Sequence, residues 1–269
     1  YRIDQTLRVE RPNTIVLGLG LATLIPDNGV DLMHVDDVDG VRVAGILFDA
    51  GPVNSKVLLE VGTAGSNVDH AENHTSLHDV YFRIGGAAVG KATDSLVIHS
   101  DDVIGDHTWI WRADHGSGVG WNTNTAAHGL IVNGEDVTIY GLFVEHYQGV
   151  QTQWNANGGR VYFYQSEIPY DPPNQESWRD GNVNGFTSYR VADSVTTHEA
   201  HGLGIYCFFN VNPSVKLENA IEVPQHGLNG AMFHRMTTVS LGGNGEITHV
   251  IEGFGDAANG SRMVVRLAQ

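Results

Sequence analysis

Hydrophobic and polar residues alternate along much of the chain, as they do in half-buried strands. Three stretches share one pattern, in which an acidic pair and a valine are followed by an apolar or aromatic run: 34–51, 99–116 and 133–149. Aligning their valines also aligns a second position, so that Val41, Val103 and Val137 bring Gly45, His107 and Gly141 into register. Such recurrence predicts equivalent strands in successive turns of a solenoid.

This repeat predicts an all-β fold, a right-handed parallel β-helix with projecting loops. The 33 glycines and the scarcity of helix-forming windows favour short strands joined by tight turns. The second and third stretches begin 34 residues apart, more than the roughly twenty residues of a plain turn, so loops must project between strands. Strands stacked in parallel sheets are expected at 41–48, 103–111, 137–144 and 161–166.

Other parts of the chain carry weaker signals. The apolar run 13–25 contains Gly18 and Gly20, which indicates two strands around a bend. The segment 227–241 is compatible with a short helix. Because an uncovered solenoid end would expose sheet edges, part of the chain after Asp180 is expected to act as a cap.

Two glutamates, Glu145 and Glu167, end strand-like runs 22 residues apart. If this spacing is one solenoid turn, the two carboxyl groups lie about 4.8 Å apart on neighbouring strands. Like charges at that distance oppose each other's ionisation and raise the pKa of one group, which we expect to be Glu167. Packing against Tyr164 and Tyr170 should add to this effect. A neutral carboxylic acid near neutral pH can serve as a general acid. The alternative is that both glutamates are solvated strand ends.

Two further clusters have simpler explanations than catalysis. Asp101 and Asp102 could act as a catalytic acid pair, but acidic pairs at the same place in three copies are better explained as turn residues that accept backbone hydrogen bonds. The segment 69–79 spaces three histidines four residues apart: His70, His74 and His78. On a helix they could bind a metal, but a polar surface loop is the favoured interpretation, so no metal or cofactor is expected.

Composition narrows the range of ligands. The formal net charge of -16 repels phosphate backbones and anionic membranes, which leaves a neutral polymer compatible and disfavours nucleic acid and membrane partners. Cys207 is the single cysteine, so no internal disulfide forms. With 269 residues the chain can form one elongated domain over 1–269.

Five short motifs, in order, make the chain resemble glycoside hydrolase family 55, the β-1,3-glucanases with paired right-handed β-helices. These motifs are WIWRADH (109–115), GLIV (129–132), GLFVEHY (141–147), TQWN (152–155) and YQSEIPYDPP (164–173). The close resemblance covers about residues 80–173. It implies a secreted enzyme that releases sugar from a chain end of β-1,3-glucan with inversion, and a larger protein in which an N-terminal β-helix segment is the partner of this chain.

The resemblance also implies residue roles. Glu167 matches the general acid of the family, and Glu145 matches its companion, which is expected to hold Glu167 protonated and to contact the sugar. The water-positioning residues of the family belong to the first β-helix and have no counterpart here. Residues around the glutamates are expected to bind substrate: Trp109, Trp111, Asp114, His115, His146, Tyr147, Gln153, Trp154, Gln165 and Tyr170.

Two other functions stay open on the sequence. One is a non-catalytic carbohydrate-binding β-helix that keeps an aromatic groove without turnover. The other is a polysaccharide lyase of the same architecture, although the charge of -16 disfavours an acidic sugar polymer. In every case we expect at least two of Trp109, Trp111, Trp154 and Tyr170 to face a groove beside the glutamates, because pyranose faces stack on flat apolar rings.

Overall fold

Two large sheets contain most of the described strands. The computed structural model describes residues 1–225 and 232–268. Apart from a small hairpin, successive strands alternate between the two sheets, and each strand stacks on an earlier one. Within the described residues, neighbouring strands of both sheets run parallel except for the last pair of the larger sheet. The all-β fold and the parallel stacking are therefore confirmed.

In the described residues the larger sheet has ten strands. In spatial order they are β1 (Arg2–Ile3), β3 (Ile15–Pro26), β5 (Arg42–Asp49), β7 (Ser76–Ile84), β9 (Ile104–Arg112), β11 (Thr138–Glu145), β13 (Gly159–Glu167), β17 (His198–Cys207), β19 (Met232–Ser240) and β21 (Val264–Leu267).

The smaller sheet has nine strands within the same ranges. They are β2 (Leu7–Val9), β4 (Met33–Val35), β6 (Ser55–Val61), β8 (Ala92–Ile98), β10 (His128–Val132), β12 (Thr152–Trp154), β16 (Tyr189–Val191), β18 (Lys216–Glu222) and β20 (Glu246–Ile251). A hairpin pairs β14 (Arg179–Asp180) with β15 (Val183–Asn184), and a short 3-10 turn spans Leu241–Gly243.

The four predicted strands correspond to β5, β9, β11 and β13, all in the larger sheet. The prediction missed β7, which lies between β5 and β9 and starts inside the segment expected to be a polar loop. Its buried residues Leu77, Val80 and Phe82 alternate with partly exposed polar ones, which is the pattern of a strand that has one face on the core.

A column of left-handed residues crosses the larger sheet and explains the repeat. From β5 to β19 the pairing ladder skips one position in each strand of the larger sheet, and the skipped residues all have positive φ: Gly45, Asp79, His107, Gly141, Phe163, Gly202 and Arg235. The skipped residue resets the alternation, so that in β5 Val43 and Ile46, three positions apart, both point inward. The register of Gly45, His107 and Gly141 predicted from the sequence is confirmed.

Two of the weaker predictions need correction. Residues 15–26 form one strand, not two, although its register shifts between Leu17 and Ala22. A Cβ on Gly18 would lie 2.1 Å from the Gly45 carbonyl oxygen, which explains a glycine at this close approach. The helix suggested for 227–241 is replaced over Met232–Ser240 by β19, and residues 227–231 lie outside the described ranges.

The core is a continuous apolar cluster between the inner faces of the sheets, and its largest buried side chains include Trp154, Trp178 and Tyr164. At one end β21 pairs antiparallel with β19 and covers its edge, which agrees with the expected cap. No helix in residues 1–225 and 232–268 is long and apolar enough to cross a membrane.

Candidate active site

The two glutamates predicted to face each other do so. Glu145 ends β11, Glu167 ends β13, and the two residues are register partners on neighbouring strands. Trp111 of β9 is the partner of Glu145 on its other side. Since side chains of register partners point to the same face of a sheet, these three side chains form one row on the outer surface.

Glu145 is the more enclosed of the two carboxyl groups. It is 8% exposed, and the Trp109 indole donates a hydrogen bond of 2.8 Å to its Oε2. Burial raises the pKa of Glu145 to about 7, and the nearby charges of Glu167 and Asp114 act in the same direction. We expected the proton of the pair to reside on Glu167; burial instead favours a proton on Glu145. Glu145 therefore keeps a proton up to about pH 7.

Glu167 is held by two neighbours from its own segment. The Tyr170 hydroxyl donates to its Oε2, and Gln165 Nε2 donates to its Oε1 over 3.3 Å. About a quarter of the Glu167 side chain stays open to solvent. Burial and the hydrogen bond raise the pKa of the Tyr170 hydroxyl well above its ordinary range, so Tyr170 remains a donor. Glu167 is thus oriented but accessible.

His146 lies buried behind the carboxyl groups. Its Nδ1 is 3.2 Å from the Ile168 carbonyl oxygen, and because a carbonyl only accepts, Nδ1 carries a proton. Its Nε2 lies 3.6 Å from Asp114 and 3.7 Å from Glu167. Burial lowers the pKa of His146 and outweighs the attraction of these carboxylates. The neutral ring therefore directs an unprotonated Nε2 toward the acidic groups.

The two tryptophans of β9 lie side by side on the outer face. Trp109 and Trp111 stack with ring centroids 5.4 Å apart, and His115 packs against Trp111. Asp114 accepts a hydrogen bond of 2.8 Å from His115 Nδ1, which favours its ionised form. The predicted alternation of β9 is confirmed, because Ile110 is buried while 42% of Trp109 is exposed.

A groove of about 370 Å³ runs over this face. It is lined by Tyr81, His107, Trp109, Phe143, Glu145 and Gln165. The volume is in the range of small-molecule sites, and the lining combines aromatic rings with a few polar groups.

Arg112 fixes the loops around the groove. It is 1% exposed, and its guanidinium donates two bonds of 2.9 Å to the Asp171 carboxylate. The same group donates to the carbonyl oxygens of Asn124, His146 and Gly120 at 2.9, 3.1 and 3.3 Å. It therefore ties the loop that carries Asp114 and the loop that carries Tyr170 to the end of β9.

Three predicted substrate-binding residues lie elsewhere, and these predictions were wrong. Trp154 and Tyr147 are fully buried in the core, where Trp154 stacks on Tyr189 and the Tyr147 hydroxyl bonds to Ser95. Gln153 belongs to the smaller sheet and donates to Asn155.

Tyr164 also differs from expectation. It points inward, where its hydroxyl bonds to Ser188 and Thr152, so it does not pack against the Glu167 carboxyl group. The other predicted residues surround the two glutamates: Trp109, Trp111, Asp114, His115, His146, Gln165 and Tyr170.

Sequence reasoning missed several residues of this surface. Tyr81 lies on the unpredicted strand β7. Phe143 belongs to one of the five motifs, but the sequence did not indicate that it lines a groove. The pairing of Asp171 with Arg112 joins residues 59 apart in the chain, which no local pattern reveals. The alternation of β9 did place Arg112 on the face opposite the two tryptophans. An arginine that points inward needs a partner for its charge, and this was the available signal for the ion pair.

Asp101 and Asp102 follow the turn interpretation, whereas the histidine segment is not the expected surface loop, because His70 is buried and His78 lies in β7. Asp101 accepts a hydrogen bond from the Glu135 amide at 2.6 Å, and Asp102 accepts one from the His70 amide at 3.1 Å, as expected for turn residues. His70 is buried between Asp37 and Asp39. His74 bonds to a backbone carbonyl, so the histidines do not converge. Within the described ranges no group of three potential metal ligands occurs.

Comparison with known proteins agrees with this arrangement. The family model described as the LAM55 pectate lyase-like domain matches residues 1–167. The exo-β-1,3-glucanase of Streptomyces sp. (strain SirexAA-E / ActE) is 52% identical over 264 residues, which cover 98% of this chain and 43% of that protein. The chain thus spans less than half the length of this relative.

Two solved structures are similar over the whole chain. The structure of sacteLam55A from Streptomyces sp. SirexAA-E has a TM-score of 0.97 and 51% identity, and the match covers 100% of this chain and 49% of that one. A variant of sacteLam55A in complex with glucose gives a TM-score of 0.97 and 50% identity, with 100% and 48% covered. Since the family model matches more than half of the chain, the chain belongs to the LAM55 family of β-1,3-glucanases, glycoside hydrolase family 55.

Proposed function

We propose that the protein containing this chain is a glycoside hydrolase that releases glucose from an end of β-1,3-glucan, with Glu167 as general acid. The observation that carries the proposal is the pair of register partners Glu145 and Glu167 beside an aromatic groove, in which Glu145 keeps a proton up to about pH 7. The relative named exo-β-1,3-glucanase supports the substrate.

In the proposed reaction the pair acts as the source of one proton. Glu145 holds the proton in the resting state, and when a sugar displaces solvent, the proton passes to Glu167. Glu167 then protonates the glycosidic oxygen as the C1–O bond breaks, and a water molecule adds to C1 from the opposite face of the sugar while a base outside the pair takes its proton. Tyr170 and Gln165 orient Glu167 toward the leaving oxygen.

The attacking water requires a group outside this pair. Inverting enzymes separate the acid and the base by roughly 6.5–9.5 Å, whereas partners on neighbouring strands lie about 4.8 Å apart. We infer that the water is positioned by another part of the longer protein, an N-terminal β-helix segment as the family resemblance implies. The relative, of which this chain covers 43%, has length to accommodate such a segment.

The proposal includes the architecture and the location. Strands that alternate between two parallel sheets are consistent with one right-handed parallel β-helix over 1–269, with the row of glutamates along its outside. A polymeric glucan does not cross a cell membrane unaided, which favours a secreted protein; recovery of the native protein only inside cells would contradict this part.

Product analysis of the full-length protein on a panel of glycans tests the function. We expect laminarin and its oligosaccharides to yield glucose, first as the α-anomer if the reaction inverts, and we expect no products from β-1,4-glucan. An unsaturated uronate released from polygalacturonate would indicate a lyase instead. Binding of laminarin without any product would indicate a non-catalytic module.

A further inference from the structure

A row of aromatic residues extends the groove away from the glutamates. Tyr81, Trp109 and Phe143 are register partners on β7, β9 and β11, and Gln165 continues the row on β13. All four residues line the groove. Flat rings at successive strand positions form a track that a sugar chain could follow along the stack of strands.

Tyr81 is held at the far end of this track by two polar side chains. Its hydroxyl donates to Asp79 Oδ1 at 3.2 Å and lies 3.3 Å from His107 Nδ1. His107 Nδ1 lies 2.6 Å from the same Asp79 oxygen. The His107 ring packs edge-on against Tyr81, with centroids 5.7 Å apart. The result is a small cluster with an exposed carboxylate, an imidazole and a phenol.

The backbone of this cluster is strained. Asp79 (φ 50°) and His107 (φ 59°) occupy the left-handed column, where the strands on either side carry Gly45 and Gly141. A residue with a Cβ in this conformation costs about 1 kcal/mol or more. Strain of this kind tends to persist at functional sites, and here it places two polar side chains beside the groove.

We propose that Tyr81, Asp79 and His107 form a distal subsite that binds a glucosyl unit of the glucan remote from the bond that is cleaved. The assignment rests on the proposed function. A neutral polyol suits the cluster, because the exposed Asp79 carboxylate accepts hydrogen bonds from hydroxyl groups and repels an anion. Three strand spacings, about 14 Å, separate the strands of Tyr81 and Glu167, so only longer oligosaccharides reach the cluster.

The test compares kcat/KM on laminaribiose and on laminarihexaose in the full-length protein. For Tyr81→Ala we expect a loss of about tenfold on the hexaose, as for one stacking ring, and little change on the disaccharide. Asp79→Asn keeps a residue that tolerates positive φ and should show the same length dependence. Tyr140→Ala is the matched control, since Tyr140 is an exposed tyrosine on β11 outside the groove lining.

Equal losses on both substrates, or an unchanged rate of Tyr81→Ala and Asp79→Asn on the hexaose, would overturn the subsite. An equal hexaose-specific loss in Tyr140→Ala would overturn it as well. These outcomes differ from failure of the proposed function, in which the unmodified protein turns over neither substrate.

Discussion

Glu145 is buried and has acidic neighbours, so its protonation state affects the free energy of unfolding. A pKa raised from 4.5 to about 7 favours the protonated group in the folded state. The stability that this proton contributes is fully present below about pH 4.5 and is lost as the pH rises through about 7. The shift corresponds to roughly 3 kcal/mol.

We therefore expect Glu145→Gln to flatten the pH dependence of stability. Urea unfolding at pH 4, 6 and 8 measures it: relative to the variant, the unmodified protein should lose roughly 3 kcal/mol between the lowest and the highest of these values. Glu72→Gln, at an exposed loop position, is the control and should leave the pH dependence as it is. Parallel curves for the unmodified protein and Glu145→Gln would show that Glu145 is ionised throughout.

The same substitution should change the pH dependence of turnover. In the unmodified protein, complete ionisation of the pair places two negative charges side by side, and their repulsion opposes the loss of the last proton. In the Glu145→Gln variant that repulsion is gone, so the alkaline limb of kcat/KM on laminarin should move to lower pH. A limb that stays in place, or moves to higher pH, would contradict a shared proton.

For single residues, the alternation in the sequence predicted correctly which way a side chain points inside a strand. It failed at residues just beyond the strand end. It placed Trp109 and Trp111 on the outer face of β9 correctly. His146, with φ 66°, interrupts the alternation after Glu145, and Tyr147 turns into the core. Trp154 in β12 points into the core and Trp109 in β9 points outward, so the choice between a core residue and a groove residue depends on which face of its strand the side chain occupies.

At the level of elements, Arg112 connects the end of β9 to the loops around the site. Asp171→Asn leaves this buried cation without a carboxylate, and we expect a loss of about 2 kcal/mol in unfolding free energy, below the roughly 3–5 kcal/mol of a fully buried pair because Asp171 is partly exposed. Turnover should also fall, because the Tyr170 loop loosens. Urea unfolding and kcat on laminarin measure the two effects.

Asp136→Asn is a matched control, since Asp136 pairs with Arg160 at an exposed position. Its cost should stay below about 1 kcal/mol, with turnover retained. Equal costs for the two variants would mean that Arg112 is satisfied by its three carbonyl partners alone, and would contradict the role of the ion pair.

Strands that carry the repeated apolar pattern over their whole length could be predicted from the sequence. A strand whose first residues are polar could not. Strands β5, β9, β11 and β13 carry the pattern that Val41, Val103 and Val137 revealed, including the left-handed column. Strand β7 begins inside a histidine-rich polar segment, so its first residues do not show the apolar alternation of a strand. The register of Tyr81 with Trp109 could therefore not be predicted. Gly45 and Gly141 indicated the left-handed positions, because glycine adopts positive φ readily. Asp79 and Phe163 have positive φ as well, but their residue types do not indicate it.

For the whole molecule, we infer that the chain supplies one face of the proposed active site, with the carboxyl pair and the aromatic groove on it. The acid and the base of an inverting enzyme lie farther apart than partners on neighbouring strands, so the pair alone does not position the water. If the longer protein supplies the water-positioning group, residues 1–269 alone should bind laminari-oligosaccharides while turning over laminarin about 10²–10⁴ times more slowly than the full-length protein.

Steady-state kinetics of both proteins, with thermal unfolding to confirm that the shorter one is folded, provide the comparison. A folded 1–269 chain with the full-length rate would place the water-positioning group inside this chain. The sequence predicted this division only through the family resemblance, because no local pattern reports which residues a separate segment contributes.

If Glu167 donates the proton to the leaving oxygen, Glu167→Gln in the full-length protein removes the donor and keeps the shape of the side chain. The variant should lose about 10²–10⁴ in kcat on laminarin while binding laminari-oligosaccharides as before. It should lose far less on 2,4-dinitrophenyl β-glucoside, whose leaving group departs without protonation. Most of the rate retained on laminarin, or equal losses on both substrates, would contradict the assignment.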